Sequence, residues 1–279
     1  MLMFKKKLIF VALGFGTLGW VYSQSVGLFH DSHPMILALI YFPAFTLTLY
    51  SSVRKLKPWP DQLQSVGIPL GIFASIFFFI YDLQMMSDPS QIFSSIGRSF
   101  LAIFHGGAVA AFGYLFSSEQ EFDGETPQKL DITVLVCIGF SLPVLGSWLM
   151  DIGLAAYLHA PAFLMFMVPF FFLIGAKSLA LSQDKLLKAT VVGMLATVLL
   201  SMIMWLDGWG DPEALGPAAA GGLLGILYGA LALLLIGATS QAGELRQKAT
   251  WRASWHALEI YALLILIIYA PLSFIEAIP

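Results

Sequence analysis

Three side chains combine a group that could handle protons or small ions with an apolar setting. His105 lies about a third of the way along the apolar segment 98–116. An imidazole titrates near neutral pH, so His105 could relay protons, or it could bond to a neighbouring helix. Ser75 and Thr197 each place a hydroxyl inside an apolar segment. Such hydroxyls could line a path for protons or Na⁺, or they could bond back to a carbonyl of their own helix.

The carboxylates avoid the middle of the apolar segments. Asp82, Asp151 and Asp207 are close to the segment ends that we expect to face outwards, where water is near. Glu259 lies roughly one turn inside the last apolar segment. For Glu259, pairing with a basic neighbour such as Arg252 is favoured over a gating role, because ionisable groups inside a membrane need a partner.

The residue patterns argue against an enzyme. The five histidines are scattered, without the HxxxH or HExxH spacing of a helical metal site. Cys137 is the only cysteine, which excludes a disulfide framework and a cysteine-based metal site. The sequence has no recognisable nucleotide-binding loop, no Ser/His/Asp set and no basic patch interleaved with aromatic residues. We therefore expect no catalytic residues, no metal, no cofactor and no nucleic-acid partner.

The elements that carry these residues are predicted to be membrane helices. Hydrophobic residues make up 58% of the chain and charged residues 11%, against about 25% charged in a soluble domain. A segment of roughly 20 apolar residues spans the hydrocarbon core as a helix. The sequence predicts an all-α polytopic membrane protein, in contact with the lipid bilayer, with nine such segments. They are 8–27, 34–51, 65–86, 98–116, 131–150, 160–179, 187–206, 215–238 and 255–275.

The basic residues indicate the orientation of the chain. Lys5, Lys6 and Lys7 precede the first segment. If they are cytoplasmic, every other lysine and arginine except Arg98 also falls on the cytoplasmic side. Cytoplasmic loops carry the excess of Lys and Arg in membrane proteins. The sequence therefore predicts a cytoplasmic N-terminus and a C-terminus outside.

Two parts of the chain resemble each other. Residues 71–76 (GIFASI) are similar to residues 193–198 (GMLATV), and each is followed by an apolar run, an Asp-Pro pair and a second apolar run. His105 and Tyr228, each followed by glycine, fall at the same distance after the two Asp-Pro pairs. Self-similarity of this kind indicates a duplicated unit. Because four spans return the chain to its starting side, we predict two parallel four-helix repeats plus a C-terminal helix.

The duplication divides the chain into four parts and points to its packing surfaces. The parts are a first membrane repeat 1–117, an acidic cytoplasmic linker 118–130, a second membrane repeat 131–243 and a C-terminal membrane helix 244–279. Small residues let the backbones of membrane helices approach closely. We expect such helix packing at Gly71, Gly106, Gly193, Gly222, Gly225 and Gly229.

The second repeat resembles a known family of membrane proteins. Gly193 precedes Thr197-Val198, and the following segment begins at Gly216-Pro217 and contains Tyr228-Gly229-Ala230. This order is similar to the last two membrane helices of the MotA/TolQ/ExbB proton-channel family, which includes the flagellar stator A-subunits. The resemblance is most specific over residues 187–243.

The resemblance implies an ion-conducting helix bundle in the bacterial inner membrane. Family members form an oligomeric ring around helices of a single-span partner subunit, whose membrane Asp carries H⁺ or Na⁺ past the ring. Thr197 and its counterpart Ser75 would line that path. Protons are favoured over Na⁺, because Ile226 stands where many members have a polar residue. The large cytoplasmic region of stator subunits has no equivalent in the short gaps 52–64 and 180–186.

Two functions of other classes stay open from the sequence. One is a small-solute membrane transporter with its site between the two repeats. The other is a non-conducting scaffold that assembles partner proteins in the membrane.

Overall fold

The computed structural model describes most of the chain as helices. The described residues are 33–53, 58–85, 92–117, 142–147, 153–175, 183–207, 212–239 and 244–275, and within them there is no β-strand. A short 3-10 helix covers Leu154–Tyr157. The long helices are α1 (His33–Val53), α2 (Trp59–Met85), α3 (Ile92–Phe116), α4 (Ala160–Gly175), α5 (Gln183–Asp207), α6 (Pro212–Thr239) and α7 (Glu244–Ile275).

These helices overlap all the predicted apolar segments that fall on described residues. Segment 8–27 lies outside the described residues, as do the linker 118–130 and segment 131–150 apart from a helical stretch at 142–147. The structure confirms an all-helical membrane protein in its described part, while the nine spans stay a prediction. Within the described residues, the stretches long and apolar enough to cross a membrane are Trp59–Asp82, Ser99–Phe116, Gln183–Asp207 and Ala218–Thr239.

Helix α2 occupies the centre of the bundle. Every residue from Ser65 to Ile80 is buried, and α2 contacts α1, α3, α6 and α7. A helix that is apolar on all sides is typical of a position surrounded by other helices. The neighbouring α5 differs, because it leaves one stripe of side chains exposed at helical spacing. These are Val192, Leu195, Leu199 and Ile203, and we assign this stripe to lipid contact.

Helices α2 and α3 form a hairpin in which glycines bring the two backbones together. A β-carbon placed on Gly106 would lie 2.5 Å from the carbonyl oxygen of Gly67 and 2.5 Å from Cα of Gly71. Real side chains do not tolerate such distances, so alanine at position 106 would force the helices apart. Gly67 and Gly71 are four residues apart, the spacing that aligns small residues on one face of a membrane helix.

Helices α5 and α6 form a second hairpin, in which glycines of α6 receive side chains of α5. Gly225 lies against Thr197, and Gly229 lies against Met194. Gly222 lies against Ser201, whose hydroxyl donates to the carbonyl of Ala218 in α6. Gly193 faces the other way, since a β-carbon there would lie 2.5 Å from the carbonyl oxygen of Phe166 in α4.

The described helices fall into two groups with the same pattern of contacts. In the first group α1 packs on α2, α2 on α3 and α1 on α3; in the second α4 packs on α5, α5 on α6 and α4 on α6. The two groups meet where α2 packs against α6, and α7 lies against α2, α5 and α6. This arrangement places the groups side by side with α7 along their junction.

Candidate functional site

His105 is an ionisable side chain near the middle of an apolar helix. It lies close to the midpoint of α3, and the hydroxyl of Tyr41, near the midpoint of α1, is 2.9 Å from its Nδ1 atom. The two rings meet edge to face, with centroids 5.7 Å apart. The glycine that follows His105 holds α3 tightly on α2, which sets the direction in which the imidazole leaves the helix. The site therefore consists of an imidazole and a phenol on neighbouring helices.

The Tyr41–His105 pair lies at the outer surface of the bundle. Tyr41 is 39% exposed and His105 is half-buried. Ring carbons of Phe104 border the imidazole, with centroids 5.6 Å apart. Imidazole can accept or donate through Nδ1, and a tyrosine hydroxyl can do the same. The pair can thus bind or release a proton without losing its mutual hydrogen bond.

Ser75 lies in a different part of the bundle. Its hydroxyl is 2.8 Å from the hydroxyl of Tyr261 in α7, and both residues are almost completely buried. Ser99 of α3 is also buried close to Tyr261, but its hydroxyl has no hydrogen-bond partner among the described residues. The bond that Ser75 makes is therefore between helices, and the alternative of a bond to its own helix does not apply.

Thr197 makes the hydrogen bond to its own helix that the sequence left open as an alternative to an ion path. Its hydroxyl donates to the carbonyl of Gly193 at 2.8 Å, and the residue is only 2% exposed. Gly225 of α6 covers its side chain. Its hydroxyl is therefore bonded within α5, while the rest of its side chain packs against α6.

The three predicted ion-path residues belong to three different helix contacts. His105 is between α3 and α1, Ser75 between α2 and α7, and Thr197 between α5 and α6. The structure does not bring their polar groups together into one direct hydrogen-bonded chain.

Glu259 pairs with a neighbour other than the one suggested by the sequence. Its Oε2 atom is 2.9 Å from Nδ1 of His256, one turn away on α7, and both side chains are well exposed. Arg252, the partner suggested by the sequence, lies almost two turns before Glu259 on α7. An exposed pair of this kind contributes little to stability.

Sequence reasoning missed the tyrosines that complete these contacts. Tyr41 and Tyr261 were counted with the apolar residues. The signal that could have found them is a phenolic hydroxyl within an apolar segment, because such a hydroxyl needs a hydrogen-bond partner. Tyr228 has a comparable role, because its hydroxyl donates to the carbonyl of Tyr157 at 3.1 Å and accepts from the backbone N–H of His159 at 2.9 Å. Buried tyrosines usually find such partners.

Comparison of the chain with protein-family models, curated proteins and solved structures gives no match. The resemblance to proton-channel subunits therefore stays a prediction from the residues.

Proposed function

We propose that this protein is a proton-conducting scaffold subunit of an ion-driven complex in a bacterial inner membrane. The observation that carries the proposal is the Tyr41–His105 pair at the bundle surface. A polar, ionisable pair near the middle of a membrane helix is costly in lipid and usually serves a function. Contact with a further helix would remove the pair from lipid.

The partner in this proposal is a single-span subunit with a membrane Asp. A neutral His105 takes the proton from the protonated Asp, which leaves an imidazolium and a carboxylate in contact. The imidazolium then releases its proton to water on one side of the membrane, and the carboxylate takes up a proton from water on the other side. Both groups return to their neutral forms, and one proton has crossed the membrane. Opposite charges at close range stabilise each other strongly where water is excluded, so the partner acid makes protonation of His105 feasible. Tyr41 keeps the ring oriented in both states.

The proposed architecture has nine spans in two parallel four-helix repeats with a cytoplasmic N-terminus. The identical contact patterns of α1–α3 and α4–α6 support a duplication. His105 and Tyr228 hold matching places in the two repeats. His105 bonds to α1, the second helix of its unit, and Tyr228 bonds to the residues just before α4. Only the first repeat has a titratable imidazole there, so we assign conduction to that half.

Thr197 and Ser75 have secondary roles in this proposal. Both hydroxyls are buried and already hydrogen-bonded. Thr197 donates to a backbone carbonyl, and Ser75 is bonded to the hydroxyl of Tyr261. Each keeps a free lone pair with which it could accept a hydrogen bond from water, but neither titrates. The proton-carrying role therefore goes to His105.

The test is proton flux through the complex, purified with its partner and placed in vesicles under a pH gradient. His105→Gln retains a hydrogen-bonding side chain of similar length but cannot take up a proton. We expect flux to fall about 100-fold, the scale of losing one group that transfers protons. Tyr41→Phe should reduce flux less, because the imidazole stays titratable.

Two results would count against this function. Equal flux in the parent and His105→Gln would remove His105 from the path. A parent complex without flux, or a chain purified without any partner, would place the solute transporter or the scaffold ahead.

A further inference from the structure

Gln62 is a buried amide in a place where its polar atoms need a ligand. It lies in the first turn of α2 and is 0% exposed. Among the residues that the structure describes, neither its Nε2 nor its Oε1 atom has a hydrogen-bond partner. Buried side-chain amides are nearly always hydrogen-bonded, to protein or to ordered water.

Other polar side chains lie at the same end of the bundle as Gln62, near the start of α2, α5 and α7. Gln247 of α7 donates to Asp61 at 3.5 Å and also bonds Gln64. On the same side of the bundle, Gln183 of α5 donates to Thr250 of α7 at 2.9 Å. We call these residues the glutamine cluster: Asp61, Gln62, Gln64, Gln183, Gln247 and Thr250. Buried polar groups without a protein partner are the usual binding sites of internal water, whereas apolar cavities stay dry.

The direction of Gln62 follows from helix geometry. Gln62 and Ser65 are three residues apart and share a face of α2. Ser65 packs against Gly237 near the end of α6. Gln62 therefore lies on the side of α2 that meets the second helix group, at the junction between the two proposed repeats.

The chemistry of the amide limits its ligand. Nε2 can only donate and Oε1 can only accept. A cation would satisfy Oε1 alone, and an anion would satisfy Nε2 alone. The ligand must be small and neutral and must both accept and donate, which describes water.

We propose that Gln62 binds internal water between α2 and α6, and that this hydrated site is the cytoplasmic entrance for protons. The first part is independent of the proposed function, and the second part rests on it. In the predicted orientation α2, α5 and α7 all begin on the cytoplasmic side, so the glutamine cluster lies at the cytoplasmic end of the bundle. Asp61 supplies the negative charge that favours protons there.

Hydration is tested by solid-state NMR of the protein in lipid bilayers, with magnetisation transferred from water to nitrogen. The side-chain amide signal of Gln62 is identified by its loss in Gln62→Leu. We expect rapid transfer to this amide, and slow transfer to the backbone amides of 72–79 in the same buried helix. Transfer to Gln62 as slow as in that control stretch would overturn the hydrated site.

The entrance role is tested by flux. Gln62→Leu keeps the size but removes donor and acceptor, and we expect flux to fall about tenfold. The control is Thr190→Val, a buried residue of α5 whose hydroxyl donates to its own helix at Leu186; its flux should stay at the parent level. A conducting parent with unchanged flux in Gln62→Leu overturns the entrance role. A parent without flux counts against the proposed function alone, since the NMR result still decides hydration.

Discussion

Single hydroxyl groups hold distant helices of this protein together. Ser75 and Tyr261 are far apart in the chain, yet their hydroxyls are 2.8 Å apart in the core, with Ser99 alongside. Because neither side chain can reach water, losing one hydroxyl leaves the other less well satisfied. The contact ties α7 to the α2–α3 hairpin that also carries His105.

The Ser75–Tyr261 contact predicts a measurable loss of stability. Tyr261→Phe and Ser75→Ala should each lower the free energy of unfolding by about 1 kcal/mol, the scale of buried hydrogen bonds in membrane proteins. The double variant should lose less than the sum, since both changes remove one bond. Unfolding in mixed micelles measures all three, with Thr190→Val as a variant that removes a bond within one helix. Strict additivity would show that the two hydroxyls are not coupled.

At the scale of elements, glycines determine which helices can touch. Gly106 has no room for a side chain beside Gly67 and Gly71, whereas a β-carbon on the adjacent Gly107 would meet nothing within 4 Å. The two positions are neighbours in one helix and have the same intrinsic helix preference. Substitutions at these two positions therefore distinguish the effect of helix packing from the effect of intrinsic helix propensity.

The first hairpin gives a matched pair of variants. Gly106→Ala should destabilise the protein by about 1–3 kcal/mol through overpacking. Gly107→Ala should be neutral or slightly stabilising, because alanine favours helix over glycine. Thermal unfolding in detergent measures the difference. Equal midpoints for the two variants would mean that α2 and α3 are not in close backbone contact.

The second hairpin allows the same comparison. Gly225 lies against Thr197, whereas a β-carbon on Gly221 would meet nothing within 4 Å. We expect Gly225→Leu to disrupt the α5–α6 contact and to reduce the yield of folded protein, as leucine cannot fit between the backbones. Gly221→Leu should leave the folded chain intact. If only Gly221→Leu impairs extraction of an oligomer, that face of α6 contacts another subunit.

At the scale of the whole molecule, orientation follows from the distribution of charge. In a Cys137→Ala background, cysteines at Ser90 and Glu213 should react with an impermeant thiol reagent added to intact cells. A cysteine at Gln120, in the predicted cytoplasmic linker, should react only after the cells are opened. The reason is the excess of Lys and Arg in the loops assigned to the cytoplasm. Labelling of Gln120 in intact cells would reverse the topology.

The sequence by itself determined the helical membrane class and the location of the apolar helices in the described part. These properties follow from local composition, since a long apolar stretch must satisfy its backbone internally as a helix. The small residues Gly71 and Gly106 also carried a packing signal that can be read locally.

Only the tertiary structure decided which side chains meet. Tyr41 and His105 are 64 residues apart, and Ser75 and Tyr261 are 186 apart. Such contacts depend on how each helix is rotated about its axis and on which neighbour it packs. The sequence does not indicate that rotation when a helix is apolar on every side, as α2 is, because the hydrophobic periodicity is then weak. The same reason explains Thr197 and Ser75: one hydroxyl bonds its own helix and the other crosses to α7, although their surrounding sequences are alike.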